Sequence, residues 1–413
     1  MHILWIKTEL LHPVDKGGRI RTYNMLRELK RANEVTYLTL DDGAAAPDAL
    51  ERASEYATRV ETVPFPAAPR HSPRFYGEVF SNLLSSLPYA VARWRAPEMR
   101  RQLERLVRET RPDVVVCDFL FPSLNVPSAL GAPTVLFQHN VEAVIWRRHA
   151  DVAANPLARL YFTEQWRRMR RFEAKECLRY DHVVAVSDED ARAFAEEYGA
   201  PSVSSVPTGV DTEYFLRSGT VAPAPNELVF VGSMDWMPNE DGVTWFVDAV
   251  LPLIRARVPD VVTTVVGRNP PGHIRALAER DPSVRITGTV PDVRPYLERA
   301  ALSIVPLRVG GGTRLKIYEA MSIETPVVST AIGAEGLPVV DGEHIAIADA
   351  PQQFADAVVS LLGDPPRRAR MAASAADLVR RRFSWASVAD QFAETCREVA
   401  ERRQTRTPEA ARR

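Results

Sequence analysis

Short apolar runs alternate with helix-length amphipathic segments along most of the 413-residue chain. Runs that are apolar at successive positions are typical of strands buried on both faces, as in parallel sheets covered by helices. Their alternation with helices predicts βαβ units, and so an α/β fold. The runs are HILWI, EVTYLTL, DVVVCDF, PTVLFQH and HVVAVS in the first half, and ELVFVG, VVTTVVG, ALSIVPL, TPVVST and HIAIAD in the second. Each half therefore has enough strands for its own doubly wound parallel sheet.

The two halves are predicted to be separate domains, because the chain is too long for one typical core. Residues 218–227, SGTVAPAPNE, carry two prolines and little apolar periodicity, which is typical of a linker. The predicted domains are residues 1–217 and 228–383. Residues 366–402 have helical periodicity, and the charged residues 403–413 are predicted to be disordered.

Composition narrows the class of protein. The net charge of -1 argues against a dedicated nucleic-acid binder. Cys117, Cys177 and Cys396 lie far apart, which argues against a disulfide scaffold or a zinc site. The N-terminus reads as a strand rather than a signal peptide, and no apolar run approaches the roughly 20 residues that span a bilayer. We expect a cytoplasmic protein that is at most peripheral at a membrane.

Ligands of open parallel sheets bind at the carboxyl ends of the strands, so residues that follow strands are the candidates for a site. Gly17 and Gly18 stand before the first helix, where bare backbone and the helix N-terminus suit an anion. A tight turn without a ligand explains them equally well, and the GxGxxG spacing is absent. His139 follows the strand PTVLFQ and is expected to face the ligand; the alternative is a histidine that only caps a helix.

Two other features of the first half have competing explanations. Asp188 and Asp190 form a D-x-D that could bind Mg²⁺ or Mn²⁺, but Ser187 with Asp190 fits a helix capping box better. Arginines and aromatic residues mix in residues 70–112 and again in residues 161–181, which suits an anionic membrane surface. Ordinary solvated helix faces are the alternative and are favoured for the second segment. The first is a long apolar connection, and such loops are often functional.

In the second half, three loops follow strands and could frame a planar base, although each alone is a weak signal. One loop has Gly232 and Ser233, the next has Gly267 and Arg268, and the third has Val290.

The strongest signal is RVGGGTRLKIYEAMSIETPVVST, residues 308–330. Thr313 is predicted to cap a helix whose N-terminus, with Arg314 and Lys316, would bind an anion. Glu319 lies roughly 9 Å beyond Thr313 along the axis, at about 1.5 Å per residue, comparable to the distance from a diphosphate to its ribose. Its carboxylate suits a vicinal diol. The alternative is a capped helix with an exposed pair of Lys316 and Glu319.

Taken together, the segments HPVDKGGRIR, QHNVE, VPTGVDTEYF, VFVGS, GGGTRLKIYEAM and FSW make the chain resemble family-four glycosyltransferases, retaining enzymes of the GT-B fold. The resemblance implies two Rossmann-like domains facing a cleft, with residues 384–402 as a helix that packs back on the N-terminal domain. It also implies that Gly17 and Gly18 lie against the donor phosphates or the acceptor. His139 would contact the donor sugar, and Glu319 would bind the nucleotide ribose as the second acid of an E-x7-E pattern.

Four positions depart from the family's pattern. Gly311 stands where the first acid of E-x7-E is expected. Ser233 and Asp241 stand where the family often has an arginine and a lysine that hold the diphosphate. Glu324 replaces a usual glycine. Because Arg314 and Lys316 appear where the family often has uncharged residues, we infer that the diphosphate clamp has moved to the GGGTRLK turn.

The sequence thus predicts a metal-independent glycosyltransferase that needs no cofactor. It would move a sugar from a nucleotide diphosphate sugar to a glycan, lipid-linked or small-molecule acceptor. A nucleotide-sugar 2-epimerase and a non-catalytic nucleotide-sugar binder are the alternatives. The predicted catalytic residues are His139, Arg314, Lys316 and Glu319. The predicted nucleotide-sugar-binding residues are Gly17, Gly18, Gly232, Ser233, Gly267, Arg268, Val290, Gly311, Gly312, Thr313, Arg314, Lys316 and Glu319.

Overall fold

The computed structural model describes residues 1–69, 72–153, 155–309 and 315–410. The chain divides into two compact units. Unit 1 comprises Met1–Pro207 and Val388–Arg413, and unit 2 comprises Thr208–Ser387. The division therefore falls ten residues before the predicted domain end at residue 217, and the predicted linker 218–227 runs into the first strand of unit 2, which begins at Ala224.

Unit 1 alternates strands and helices in the way that the apolar runs predict. In chain order its elements are β1 (His2–Lys7), α1 (Gly17–Leu29), β2 (Glu34–Asp41), β3 (Arg59–Pro64), α2 (Pro73–Asn82), α3 (Tyr89–Ala92), α4 (Pro97–Thr110), β4 (Val114–Asp118), β5 (Thr134–Phe137), α5 (Glu142–Val152), α6 (Pro156–Arg179), β6 (His182–Ala185), α7 (Asp188–Glu196) and β7 (Val203–Ser205). Two 3₁₀ turns, Arg52–Glu55 and Phe121–Asn125, complete it.

The strands of unit 1 form one seven-stranded sheet in the order β3-β2-β1-β4-β5-β6-β7, and every pair is parallel. The strand order reverses between β1 and β4, so the crevice where such sheets bind ligands lies at the ends of these two strands. The central strands are buried on both faces, for example Val114–Asp118.

Unit 2 repeats the same design. Its elements are β8 (Ala224–Val231), α8 (Met237–Trp245), α9 (Leu251–Arg255), β9 (Val262–Val266), α10 (Gly272–Arg280), β10 (Val284–Gly288), α11 (Arg294–Arg299), β11 (Ala300–Val305), α12 (Leu315–Ser322), β12 (Val327–Ser329), β13 (Ala346–Ile347), α13 (Pro351–Leu362) and α14 (Pro365–Arg382). A π-helical turn, Phe246–Val250, joins α8 to α9.

The strands of unit 2 form a parallel sheet in the order β10-β9-β8-β11-β12-β13, with the reversal between β8 and β11. One hydrophobic core joins the two faces of this sheet to its helices. The predicted fold class, two doubly wound parallel sheets, is confirmed.

The last helix, α15, spans Trp385–Ala410. Within unit 1 its Phe392 contacts the rings of Trp5 and Phe137, at centroid distances of 5.4 and 5.0 Å. The helix as described continues through residues 403–410, whereas the sequence predicts disorder for residues 403–413. Its charged residues extend the helix with i,i+4 pairs such as Arg402 with Glu398.

No helix in the part of the chain that the structure describes is both long enough and apolar enough to cross a lipid bilayer.

Candidate active site

The loops that follow β8 and β9 in unit 2 are tied together by their backbones. Gly232 N donates to Val266 O at 2.9 Å, and Met234 N donates to Arg268 O at 2.9 Å. A Cβ on Gly267 would lie 1.8 Å from the Gly232 carbonyl oxygen, so no side chain fits there. The backbone is therefore bare at Gly267, and it lies beside the point where the strand order of unit 2 reverses.

Lys316 brings its charge to this bare backbone. Its Nζ donates to Asn239 Oδ1 at 2.7 Å and lies 4.4 Å from the centre of the Phe230 ring. A Cβ on Gly232 would approach that Nζ to 2.7 Å, so the ammonium lies directly against the glycine. Asn239 is buried and donates its amide to Ser233 O at 2.7 Å. The structure thus unites Lys316, Gly232 and Ser233, which were predicted separately.

Arg268 supplies a second positive charge to the same loop. Its Nε donates to Ser233 Oγ at 2.8 Å, and its guanidinium lies 3.8 Å from Asp235. The serine that replaces the family's arginine is therefore in contact with an arginine from the next loop. Asp241, at the other departure, accepts from Arg308 Nε at 3.0 Å.

Glu319 lies on α12, three residues after Lys316, and is partly buried. Burial raises the pKa of its carboxyl to about 7, against the opposing effect of the Lys316 charge. No hydrogen-bond donor contacts this carboxylate within residues 1–69, 72–153, 155–309 and 315–410. A partly buried acid of this kind is stabilised when a ligand supplies donors.

The remaining predicted residues of unit 2 are Val290 and four residues of the GGGTRLK turn. Val290 follows β10 at the same edge of the sheet and packs against the core of unit 2. Gly311, Gly312, Thr313 and Arg314 lie outside the described residues, so their predicted roles as cap, anion cradle and cation remain predictions.

Asp118 is the centre of a buried polar cluster in unit 1, at the point where its strand order reverses. Its Oδ2 accepts from Trp5 Nε1 at 3.0 Å, from Lys7 Nζ at 2.9 Å and from Thr22 Oγ1 at 2.6 Å. Its Oδ1 lies 2.7 Å from His139 Nε2. Strand β1, helix α1 and the loop after β5 therefore converge on a carboxylate carried by β4.

Charge decides the protonation of this cluster. Burial by itself would raise the pKa of Asp118, but the charge of Lys7, the His139 ring and the Thr22 hydroxyl outweigh it and hold the pKa well below its ordinary value. Burial lowers the pKa of His139 to about 3, against the attraction of Asp118. At neutral pH the cluster therefore contains an ionised aspartate, a charged lysine and a neutral histidine.

His139 is almost fully buried, and its Nδ1 has no hydrogen-bond partner within the described ranges of the chain. Its ring lies against Phe119 at a centroid distance of 3.9 Å and against Phe137 at 4.6 Å. Phe119 has a φ of 75°, which a bulky residue rarely adopts and which often marks a functional site. The side chain therefore lies at the predicted edge of the sheet but faces inward, toward Asp118.

Gly17 and Gly18 are the first two residues of α1, and Gly18 lies close to the same cluster. The helix begins at Gly17 without a side-chain cap, so its first amides are available to a ligand. A Cβ on Gly18 would lie 3.2 Å from the Phe119 ring, so packing against Phe119 also explains this glycine.

Glu173 of α6 holds the loop that carries His139. Its carboxylate accepts from the backbone nitrogens of Glu142 and Ala143 at 2.8 and 3.1 Å, and from Gln138 Nε2 at 3.3 Å. Burial raises its pKa to about 8. An acid in another helix therefore caps α5, which fixes the backbone on both sides of His139.

The acidic motif of α7 has the structural role that was favoured. Ser187 Oγ accepts from Asp190 N at 3.1 Å, which confirms the helix cap. No group of three histidine, cysteine or acidic side chains in the described part of the chain is arranged to hold a metal ion.

Two family models match the chain, one in each unit. The model described as Glycosyltransferase Family 4 matches residues 16–214, and that described as Glycosyl transferases group 1 matches residues 225–364. The chain belongs to the group 1 glycosyltransferases. The first match begins after β1 and contains β4 with Asp118, and the second contains the ends of β8 and β11, where the strand order of unit 2 reverses.

Relatives of this glycosyltransferase cover different shares of its length. An uncharacterized 44.6 kDa protein in the cps region of Klebsiella pneumoniae is 23% identical over 87% of this chain and 90% of its own. A phosphatidyl-myo-inositol mannosyltransferase of Mycobacterium leprae is 30% identical, over 52% of this chain and 59% of its own. The second match therefore spans little more than half of either protein.

Solved structures share the fold of this glycosyltransferase. Sucrose-phosphate synthase from Thermosynechococcus elongatus superposes with a TM-score of 0.66 at 18% identity, covering 97% of this chain and 99% of its own. HepE of Anabaena, in complex with UDP and glucose, superposes with a TM-score of 0.62 at 14% identity, covering 95% and 98%. These likenesses concern the fold.

Sequence reasoning about this glycosyltransferase missed Lys7, Asp118 and Asn239. Asp118 gave a usable signal, since an acid at the end of the apolar run DVVVCDF must be buried and needs partners. Lys7 gave a similar signal at the end of the first strand. Asn239 gave none, because only the folded chain brings it between Lys316 and Ser233.

Proposed function

We propose that this glycosyltransferase moves a sugar from a nucleotide diphosphate sugar to an acceptor hydroxyl with retention of anomeric configuration. The observation that supports this most is the position of Lys316, whose ammonium lies against the bare backbone of Gly232 where the strand order of unit 2 reverses. An anion with phosphate chemistry fits a cation over exposed backbone.

A leaving diphosphate must be stabilised as its bond to the sugar breaks, since negative charge develops on it. Lys316 and Arg268 are two described cations at this edge of unit 2, and Arg314 lies two residues before Lys316 in the sequence. These positive charges can stabilise the leaving diphosphate in place of a divalent metal ion, so we propose that transfer is metal-independent.

Glu319 would bind the ribose of the same nucleotide. It follows Lys316 by three residues on α12, about 4.5 Å along the helix axis. An ionised carboxylate accepts from two vicinal hydroxyls. Burial of the Glu319 carboxylate costs free energy, as its raised pKa shows. Hydroxyl donors from the ribose would offset that cost.

His139 is proposed to contact the donor sugar, as the resemblance to family-four enzymes implies. Its Nδ1 has no partner in the described ranges, but the side chain is only 3% exposed and faces Asp118, so this contact requires the ring to turn outward when the donor binds. No described carboxylate has been identified as a covalent nucleophile, so front-face attack assisted by the leaving phosphate is the mechanism that we propose. Retention itself is carried over from the resemblance to family-four enzymes.

The acceptor is proposed to be a glycan, a small molecule or, with most support, a lipid-linked molecule. Phe80 of α2 is 75% exposed, and Leu84 just after it is 95% exposed. Such side chains suit a peripheral contact with the inner face of a membrane. The mannosyltransferase relative is named for a phosphatidyl-inositol acceptor, which agrees with this choice.

The test is incubation of the protein with UDP-, GDP- and ADP-sugars, with and without candidate acceptors, and analysis of the products. A structure of HepE contains UDP-glucose, so UDP-sugars are the first to try. Transfer that requires an acceptor and survives EDTA supports the proposal. Isomerised donor formed without any acceptor indicates the epimerase, and binding without any product indicates a non-catalytic protein.

A further inference from the structure

A cavity of about 470 Å³ opens beside β3 in unit 1, away from the polar cluster of Asp118. Its floor is formed by Phe65 to Ala68, which directly follow the carboxyl end of β3. Its walls come from α2, from the turn after it, and from the segment that follows α3. The cavity therefore opens at the edge of the sheet where parallel strands present ligands.

The lining of the cavity is positively charged. Arg74, Arg93 and Arg95 line it, and Glu78 is its one acid. Glu78 is already engaged by Arg74, whose Nε donates to it at 3.2 Å. The guanidinium groups of Arg93 and Arg95 have no carboxylate partner within the described parts of the chain. Two positive charges are therefore available to a ligand in the cavity.

Buried polar side chains fix the walls in place. Asn125 accepts from Ala96 N at 2.8 Å and donates to Trp94 O at 2.8 Å, which holds the turn that bears the two arginines. Gln165 accepts from Tyr89 N at 2.8 Å. Because neighbouring elements hold its walls, the cavity is preformed. Binding a ligand there therefore costs little conformational entropy.

The C-terminal end of α2 is held by hydrogen bonds and carries exposed apolar side chains. Arg168 of α6 donates to the carbonyl oxygens of Asn82 and Leu83 at 2.8 and 3.1 Å, so the helix end cannot rotate freely. Phe80 and Leu84 are both exposed, and each directly precedes a residue that lines the cavity, Ser81 and Ser85; together they form an exposed apolar stripe. The cationic cavity and the apolar stripe thus share one anchored segment.

We propose that this cavity binds the anionic group, a phosphate or carboxylate, of an amphiphilic acceptor whose apolar part lies along Phe80 and Leu84. The lipid is the source of the anion, because a free anion would leave the adjacent apolar stripe without a role. The inference rests on the proposed transferase function, since it names the acceptor of that reaction.

The test compares binding of the full chain to phosphatidylcholine vesicles with and without phosphatidic acid, measured by co-sedimentation. Wild type should bind the vesicles that contain phosphatidic acid more tightly. Arg93→Gln with Arg95→Gln should weaken that binding at least about tenfold, because each lost charge-assisted contact to a phosphate costs about that factor. Arg108→Gln is the matched control, an exposed arginine outside the cavity, and should bind as wild type does.

A second variant separates the lipid from a free anion. Leu84→Ser should weaken vesicle binding and leave binding of inorganic phosphate, measured by titration calorimetry, unchanged. Inorganic phosphate should bind wild type more weakly than vesicle-borne phosphate. Equal binding of inorganic phosphate, or equal vesicle binding by the double arginine variant and wild type, would overturn the proposal.

Measuring the binding of nucleotide diphosphates distinguishes a failure of this proposal from a failure of the proposed transferase function. The double arginine variant should retain the wild-type thermal shift with nucleotide diphosphates, since its changes lie in unit 1 outside the proposed donor residues. A wild type that binds phosphatidic acid through these arginines but binds no nucleotide would contradict the transferase and leave the anion site standing.

Discussion

The ammonium group of Lys316 donates a 2.7 Å hydrogen bond to the side-chain carbonyl of Asn239, and Asn239 donates in turn to the carbonyl of Ser233. The chain of contacts joins α12 to the loop that follows β8. It holds a positive charge against bare backbone before any ligand is present. A cation fixed in this way needs little reorganisation when negative charge develops on a bound diphosphate.

Removing the charge of Asp118 should strongly destabilise unit 1. Asp118→Asn leaves Lys7, which is 2% exposed, without its counterion. Breaking one side of a buried ion pair costs about 3–5 kcal/mol, measurable as the free energy of unfolding in urea. The double variant Lys7→Met with Asp118→Asn should recover part of the loss. The exposed Asp113→Asn, which loses a contact to the backbone of His2, should cost less than about 1 kcal/mol.

The same ion pair predicts acid sensitivity. The pKa of Asp118 is lowered in the folded chain, because Lys7 and the His139 ring outweigh the effect of burial. Its contribution to stability is therefore present above the ordinary pKa of 3.8 and is lost as the pH falls below it. Asp118→Asn should lack this part of the acid-induced loss. An equally steep fall in the variant would show that the pair does not stabilise the fold.

Glu324→Gly should stabilise unit 2. Glu324 has a φ of 61° and follows α12 in a Schellman arrangement, with Glu324 N donating to Met321 O and Thr325 N donating to Ala320 O. Glycine removes the strain, worth about 1 kcal/mol, and the lost pair with exposed Arg380 contributes little. Glu324→Ala is the control, because it loses the pair but keeps the strain. A lower melting temperature for the glycine variant than for the alanine variant would refute this explanation.

How far the sequence predicts this fold depends on where a strand lies in its sheet. All ten apolar runs became strands, because strands covered by helices on both faces must be apolar throughout. The three strands that were missed, β3, β7 and β10, all lie at sheet edges. Their exposed or half-buried positions, as in Arg59–Pro64, dilute the apolar pattern that identifies a strand.

Residues of the candidate site could be predicted where the signal lies in consecutive residues of the sequence. Gly232, Gly267 and Lys316 could be proposed from the sequence because glycines or a basic residue after a strand are visible in the chain itself. Asp118 and Asn239 act through partners distant in sequence, such as Trp5 and Lys316, and these contacts exist only in the folded chain. The inward position of His139 could not be predicted either, since it depends on Asp118 and Phe119.

Glu319→Gln should change the pH dependence of both stability and nucleotide binding. The pKa of Glu319 is raised by burial from 4.5 to about 7, so the folded chain keeps a proton that the unfolded chain releases in this window. Wild-type stability should therefore fall relative to Glu319→Gln as the pH rises from 4.5 to about 7. Thermal melts across this window test it, and parallel curves for the two proteins would contradict it.

Nucleotide affinity should move in the opposite direction. Ionised Glu319 is the form that accepts from a ribose, so wild-type affinity should increase as the pH rises through about 7. In Glu319→Gln the affinity should stay flat over the same range. Titration calorimetry at several pH values measures both. An equal pH dependence in the two proteins would show that Glu319 does not contact the nucleotide.

His139→Ala should reduce turnover at least about tenfold while leaving nucleotide affinity close to wild type, because its proposed contact is to the sugar. His182→Gln is the matched control. His182, the first residue of β6, is also buried, but its ring nitrogens lie 2.7 and 2.8 Å from the hydroxyls of Ser202 and Ser204, just before and within β7. Both variants should lose stability, and only His139→Ala should lose turnover. Equal turnover in the two would mean that His139 is structural.

The most direct test of the proposed donor site is the affinity of Lys316→Met for the nucleotide diphosphate that gives wild type its largest thermal shift. Titration calorimetry should show a loss of at least about tenfold, the effect of one charge-assisted contact to a phosphate. Lys175→Met, which changes an exposed lysine on α6, should bind as wild type does. Wild-type affinity in Lys316→Met would contradict the central claim that this lysine holds the donor diphosphate.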